Sequence, residues 1–66
     1  MMTPFEVANA LASYDVSTAR KLLHYAVNIE HCDYETFSMI LSGFNEDVRN
    51  QLKDEAVKFF AKLSQY

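Results

Sequence analysis

Apolar residues recur along this chain in steps of three and four, and four such runs, each opened by a capping residue, predict four helices. Thr3-Pro4-Phe5-Glu6 opens the first. Thr3 can cap it, Pro4 suits the first helical position, where a missing N–H costs nothing, and Glu6 completes a capping box. Phe5, Ala8, Leu11 and Ala12 follow at helical spacing, and the run falters at Ser13-Tyr14-Asp15, so this helix ends near Ser13. Asp15 or Ser17 caps the second, whose stripe of Val16, Ala19, Leu22, Leu23, Ala26, Val27 and Ile29 carries it to about His31. Asp33 caps a shorter third helix that turns Phe37, Ile40 and Leu41 inward. Gly43, the only glycine, is expected to end it in the left-handed conformation, with Phe44 packing back on the helix end. Asn45 caps the fourth, where Glu46 and Asp47 meet the positive end of the helix dipole. Its stripe of Val48, Leu52, Ala56, Phe59, Phe60 and Leu63 predicts the longest helix, running almost to the C-terminus.

Period-two alternation never extends beyond a few residues, and no Asn-Gly or Asp-Gly hairpin turn or internal repeat is present. The expected fold class is therefore all-α: a small four-helix domain, three longer helices plus one short helix, with no sheet. Residues 1–66 are expected to form a single helical domain, its short loops joining helices that pack in chain order.

Composition sharpens this picture. At 66 residues, half of them apolar and 14% aromatic, the chain has the material for a core but little stability to spare. One cysteine, Cys32, closes no intrachain disulfide and is too little for a cysteine-based zinc site, so helix packing must hold the fold. A lone thiol, with no basic start and apolar run of a signal peptide, points to a cytoplasmic protein. The longest apolar runs, such as Met39-Ile40-Leu41, fall far short of the roughly 20 residues that cross a bilayer, so no membrane association is expected. A net charge of −3 opposes contact with a phosphate backbone.

Catalytic chemistry finds few candidates. His24, His31 and Cys32 are the residues with ligand or nucleophile character, and no motif supplies the third or fourth ligand that zinc requires. A single glycine rules out a Gly-rich phosphate loop. The expectation is no enzyme, no catalytic residue, no metal and no cofactor. Helix two, the junction and helix three resemble the raw material of a DNA-binding helix-turn-helix, which makes a transcription regulator the alternative reading. The would-be reading helix, Tyr34 to Ser42, has no Arg or Lys for phosphates or guanine edges, and Arg20-Lys21 is a lone basic pair. Nucleic acid is accordingly the weaker choice of partner.

The apolar surplus says more. Met1, Met2, Val7, Tyr14, Tyr25, Tyr34, Met39, Val57 and Tyr66 fall beside or outside the four stripes, and a bundle this small has limited room inside. Scattered surface apolar residues are common, yet tyrosine and methionine are enriched where proteins meet. Tyr14, Tyr25, Tyr34 and Met39 are therefore the candidate protein-contact residues. They point to a small non-catalytic regulator, an inhibitor or adaptor that occupies a partner protein's surface. A homodimer through the leftover apolar surface is a further expectation. The chain's size suits a bacterial or phage-encoded modulator.

Overall fold

The fold was obtained as a computed structural model, which describes residues 2–65. Met1 and Tyr66, two members of the apolar surplus, lie outside the described residues. The chain runs α1 (Pro4–Ala12), α2 (Val16–Asn28), α3 (Tyr34–Gly43), α4 (Glu46–Gln51) and α5 (Lys53–Leu63). The described residues form no strand. The domain is all-helical, with four helices of nine residues or more and one short one.

The capping signals act as expected. Thr3 Oγ1 accepts from the Glu6 N–H at 3.2 Å, Asp15 Oδ1 from the Thr18 N–H at 2.8 Å, and Asp33 Oδ1 from the Thr36 N–H at 2.7 Å. Asn45 Oδ1 accepts from the Asp47 N–H at 3.0 Å. Each bond satisfies one of the N–H groups that the first turn of a helix leaves without a partner. These bonds and the Thr hydroxyls hold the Asp15 and Asp33 carboxyls below their ordinary range.

Two helix ends differ from the expectation. The second helix stops at Asn28 rather than His31: the Ile29 and Glu30 N–H groups both donate to the Tyr25 carbonyl, and Cys32 N–H closes onto Ala26 at 3.0 Å. This reversal needs one left-handed residue, and His31 supplies it with φ 50°. Histidine is among the side chains that tolerate this region best. The fourth helix is in fact two, because the chain bends at Leu52 (φ −97°, ψ 5°), whose N–H is shared between the Val48 and Arg49 carbonyls. That sharing tightens one turn without a proline or glycine. The longest helix is consequently α2, with 13 residues.

Phe37, Leu23, Leu52 and Val27 are fully buried, joined in the core by Ala19, Phe44, Val48, Phe59 and Leu63. Aromatic contacts bind α3 to α5: Phe37 meets Phe60 edge-on, centroids 4.8 Å apart and planes 80° apart, and Phe59 at 5.8 Å. Arg20 Nε on α2 donates to both Glu55 carboxylate oxygens on α5, at 2.8 and 3.1 Å. The pair is over a third exposed, so water screens much of its attraction.

The first helix is held differently. Of its expected stripe only Leu11 is buried, while Phe5, Ala8 and Ala12 are exposed, Phe5 by 75%. Ile29, expected to extend the α2 stripe, likewise stands past the helix end and is 63% exposed. Gly43 explains how α1 docks. It is helical rather than left-handed, and a Cβ placed there would stand 2.6 Å from Leu11 Cδ1 and 3.1 Å from Leu11 Cβ. Its missing side chain lets α1 and α3 approach, so the glycine serves packing and not chain reversal.

Gly43→Ala would gain about 1 kcal/mol of helix propensity but force Leu11 out of place, at a typical cost of about 1–3 kcal/mol. Net destabilisation of about 1 kcal/mol is expected in urea unfolding. Leu11→Ala/Gly43→Ala should lose less than the sum of the two single variants, since the closest clash, with Leu11 Cδ1 at 2.6 Å, is then removed and only the Cβ at 3.1 Å remains. The caps predict an acid limb. A carboxyl whose folded pKa is depressed stabilises fully above its unfolded value, about 3.9 for Asp, and loses that contribution as pH falls through the folded pKa. Melting temperature should hold from pH 7 to about 5 and then fall below about pH 4. Asp15→Asn/Asp33→Asn, which keeps both caps but removes their titration, should show a shallower fall.

Candidate functional site

The faces that α1 and α3 turn toward each other leave an open groove of about 570 Å³. One wall is Pro4, Val7, Ala8 and Leu11, and the other Thr36, Met39, Ile40 and Gly43. Both sets follow the spacing i, i+3, i+4, i+7, so each is one continuous ridge of its helix. Leu11 and Gly43 touch at its base, and Val7 (42%) and Met39 (66%) stand exposed along it. The lining is apolar but for the Thr36 and Ser42 hydroxyls, and it includes no titratable side chain. Such a surface supplies no acid, base or nucleophile. What it can do is release water when an apolar ridge fills it.

The four candidate contact residues do not share this surface. Met39 is part of the groove. Tyr34, 65% exposed, lies on another side of α3, about 140° around the axis from Met39. Its ring rests on Phe60 with centroids 4.8 Å apart. Tyr25 is half-exposed near the end of α2, where its hydroxyl donates to Glu30 at 2.8 Å and the carboxylate pushes the phenol's pKa up. Tyr14 is only partly exposed, packs on the core and lies 6.4 Å from the Phe44 ring, so most of its apolar body is already used. Periodicity gives Pro4 and Thr36 no contact role, and it assigns Ala8, Leu11 and Ile40 wholly to the interior. The signal was present, since the ridge of Pro4, Val7, Ala8 and Leu11 can be read beside the stripe that begins at Phe5.

A second groove, of about 410 Å³, lies between α2 and α5 and is basic. Arg20, His24, Lys58 and Lys62 line it with Asn28, Glu55 and Phe59. Much of this polarity is internally matched. Arg20 is paired with Glu55, Lys62 donates to Asn28, and His24 sits edge-on to Phe59 with centroids 4.9 Å apart. Arg20 in turn holds the Glu55 carboxyl below its usual range. The arrangement ties α2 to α5.

His24 thus faces Phe59, whereas Cys32 packs against the core cluster, and burial followed by the charge of Asp33 pushes its thiol up. A raised thiol is a poor nucleophile at neutral pH. Among the described residues no group of three or more His, Cys, Asp or Glu is placed to hold a metal ion. No described helix is long and apolar enough to cross a membrane. On α3 the outward positions include Glu35, Thr36, Met39 and Ser42, without a cation. No family model, curated protein or solved structure matches the chain.

The thiol yields a test. In the folded protein at pH 7.5 Cys32 should react with an aromatic disulfide reagent at least tenfold more slowly than in urea, an order of magnitude set by thiolate fraction and access. Equal rates, followed by absorbance, would show the thiol to be open and unperturbed.

Proposed function

We propose that the chain is a small non-catalytic protein-binding regulator, an inhibitor or adaptor that acts by occupying a partner protein's surface. The observation that carries this reading is the open apolar groove between α1 and α3, with Val7 and Met39 exposed on its walls. An open, apolar-lined cleft between helices is a common form of binding site. Methionine fits such a site because its unbranched, polarizable side chain adapts to irregular partners.

Scale supports the reading. The accessible surface is 4730 Å², and a standard protein interface covers roughly 800 Å² of each partner, so one docking event would mask about a sixth of this domain. A chain with so little surface changes another protein's behaviour by covering or bridging it. The half-buried, unpaired Cys32 suits a reducing cytoplasm. DNA binding through α3 is the weaker reading, because the Lys and Arg side chains lie on α2, α4 and α5.

Val7→Glu/Met39→Glu places two charges in the groove at positions already exposed, so stability should change by less than about 1 kcal/mol. Immobilised wild-type protein should retain a partner from a lysate of the source cell, and the double variant should lose it at unchanged melting temperature. Retention of the same partner by both proteins would overturn the groove as the binding surface.

A further inference from the structure

Charge is divided unevenly over this domain. α2 and α5 hold five of the six Lys and Arg side chains and two of the nine Asp and Glu, a net of +3, while the other segments hold one and seven, a net of −6. The excess collects in the groove between α2 and α5, where Arg20, Lys58 and Lys62 stand with His24 and a single carboxylate, Glu55. Lys21 and Asp54, one beside each row, cancel. Three contacts, Arg20 with Glu55, His24 with Phe59 and Asn28 with Lys62, follow the same order along both helices, so α2 and α5 run parallel. Their carbonyl ends meet beside Lys62 and contribute roughly half a negative charge each, which offsets one lysine and leaves the groove positive.

Internal pairing does not use up these cations. Arg20 spends only Nε on Glu55, so its terminal amino groups bond to no described residue. Lys62 meets a neutral amide, and the exposed Lys58 makes no hydrogen bond or ion pair among the described residues. An Arg fork matches a carboxylate, accepting it through two parallel bonds. Lys58 and Lys62 are four residues apart on one face, roughly 6 Å along the axis, close to the spacing of alternate side chains on an extended chain, about 6.6 Å. A nucleic acid fits less well, since its charge continues past a face about 20 Å long onto the acidic remainder of the domain. We propose that the α2–α5 groove binds a short acidic segment of a partner protein, whose Asp or Glu side chains at alternate positions engage Arg20, Lys58 and Lys62. This site stands on a different face from the α1–α3 groove and does not depend on it.

A short peptide with glutamate at alternate positions and serine between them tests this, beside a counterpart with every glutamate replaced by glutamine. Each is titrated into the full, isotope-labelled chain while backbone and side-chain shifts are followed. The glutamate peptide should move the resonances of Arg20, His24, Lys58 and Lys62, bind at least tenfold more tightly than the glutamine peptide, and weaken several-fold between low and high salt. Lys58→Gln should weaken binding several-fold at unchanged melting temperature, and Lys58→Arg should restore it. Lys53→Gln removes the same charge from α5 on the side that lines a separate groove with Arg49 and Phe60, and it should leave binding as it was. Val7→Glu/Met39→Glu should leave the shifts in place, so failure here and failure of the α1–α3 groove are told apart. Equal losses from Lys53→Gln and Lys58→Gln would reduce the effect to net charge and overturn the site. Equal binding of the two peptides, or no shift at groove residues with either, would overturn it as well. Tighter binding of a single-stranded oligonucleotide of the same charge would give the face to nucleic acid and overturn the proposal.

Discussion

Phe37 is the side chain on which the assembly turns. It is fully buried and sits between α3 and the two phenylalanines of α5, Phe59 and Phe60. Removing a buried phenylalanine typically costs about 3–5 kcal/mol, and a chain of this length has about 3–10 kcal/mol of stability in total. One ring thus carries a large share of what keeps the helices together. The edge-on geometry of Phe37 and Phe60 adds direction to this contact, since the positive rim of one ring faces the negative face of the other.

A core centred in this way draws mainly on α2, α3, α4 and α5, and α1 adds only Leu11 to it. The Cα trace measures 31 × 27 × 16 Å, so along its thinnest axis there is room for little more than two layers of helix. In a slab of that thickness each helix is covered on one side. Apolar residues on the other side stay in contact with water, and this is why Val7, Met39 and Val57 are exposed in a domain rich in such residues. The thin body that limits stability also produces the groove.

The elements were legible where local chemistry decides them. Thr3, Asp15, Asp33 and Asn45 mark helix starts through bonds to groups two or three residues away, and such bonds need no tertiary context. Where packing decides, the pattern was ambiguous. Nothing in Gln51-Leu52-Lys53 distinguishes the bend at Leu52 from an uninterrupted helix, because it arises from a shared hydrogen bond and not from a breaking residue. Gly43 fitted a chain-reversal role equally well, and only the proximity of Leu11 shows its use as a docking point. The groove was partly legible for the same reason. Periodicity places Val7 and Met39 off the main stripes, but a surface shared by two helices depends on how they cross. Tyr14 shows the converse, since its partner Phe44 lies 30 residues away along the chain.

The lone buried leucine of α1 has a mechanical meaning. A helix of nine residues is too short to persist by itself in water, so α1 exists as a helix largely by leaning on Gly43 through Leu11. Leu11 is its one buried side chain, so α1 contributes less apolar burial than the helices around the aromatic centre. The domain therefore has one edge built around an aromatic core and another whose burial rests on the single leucine packed over Gly43.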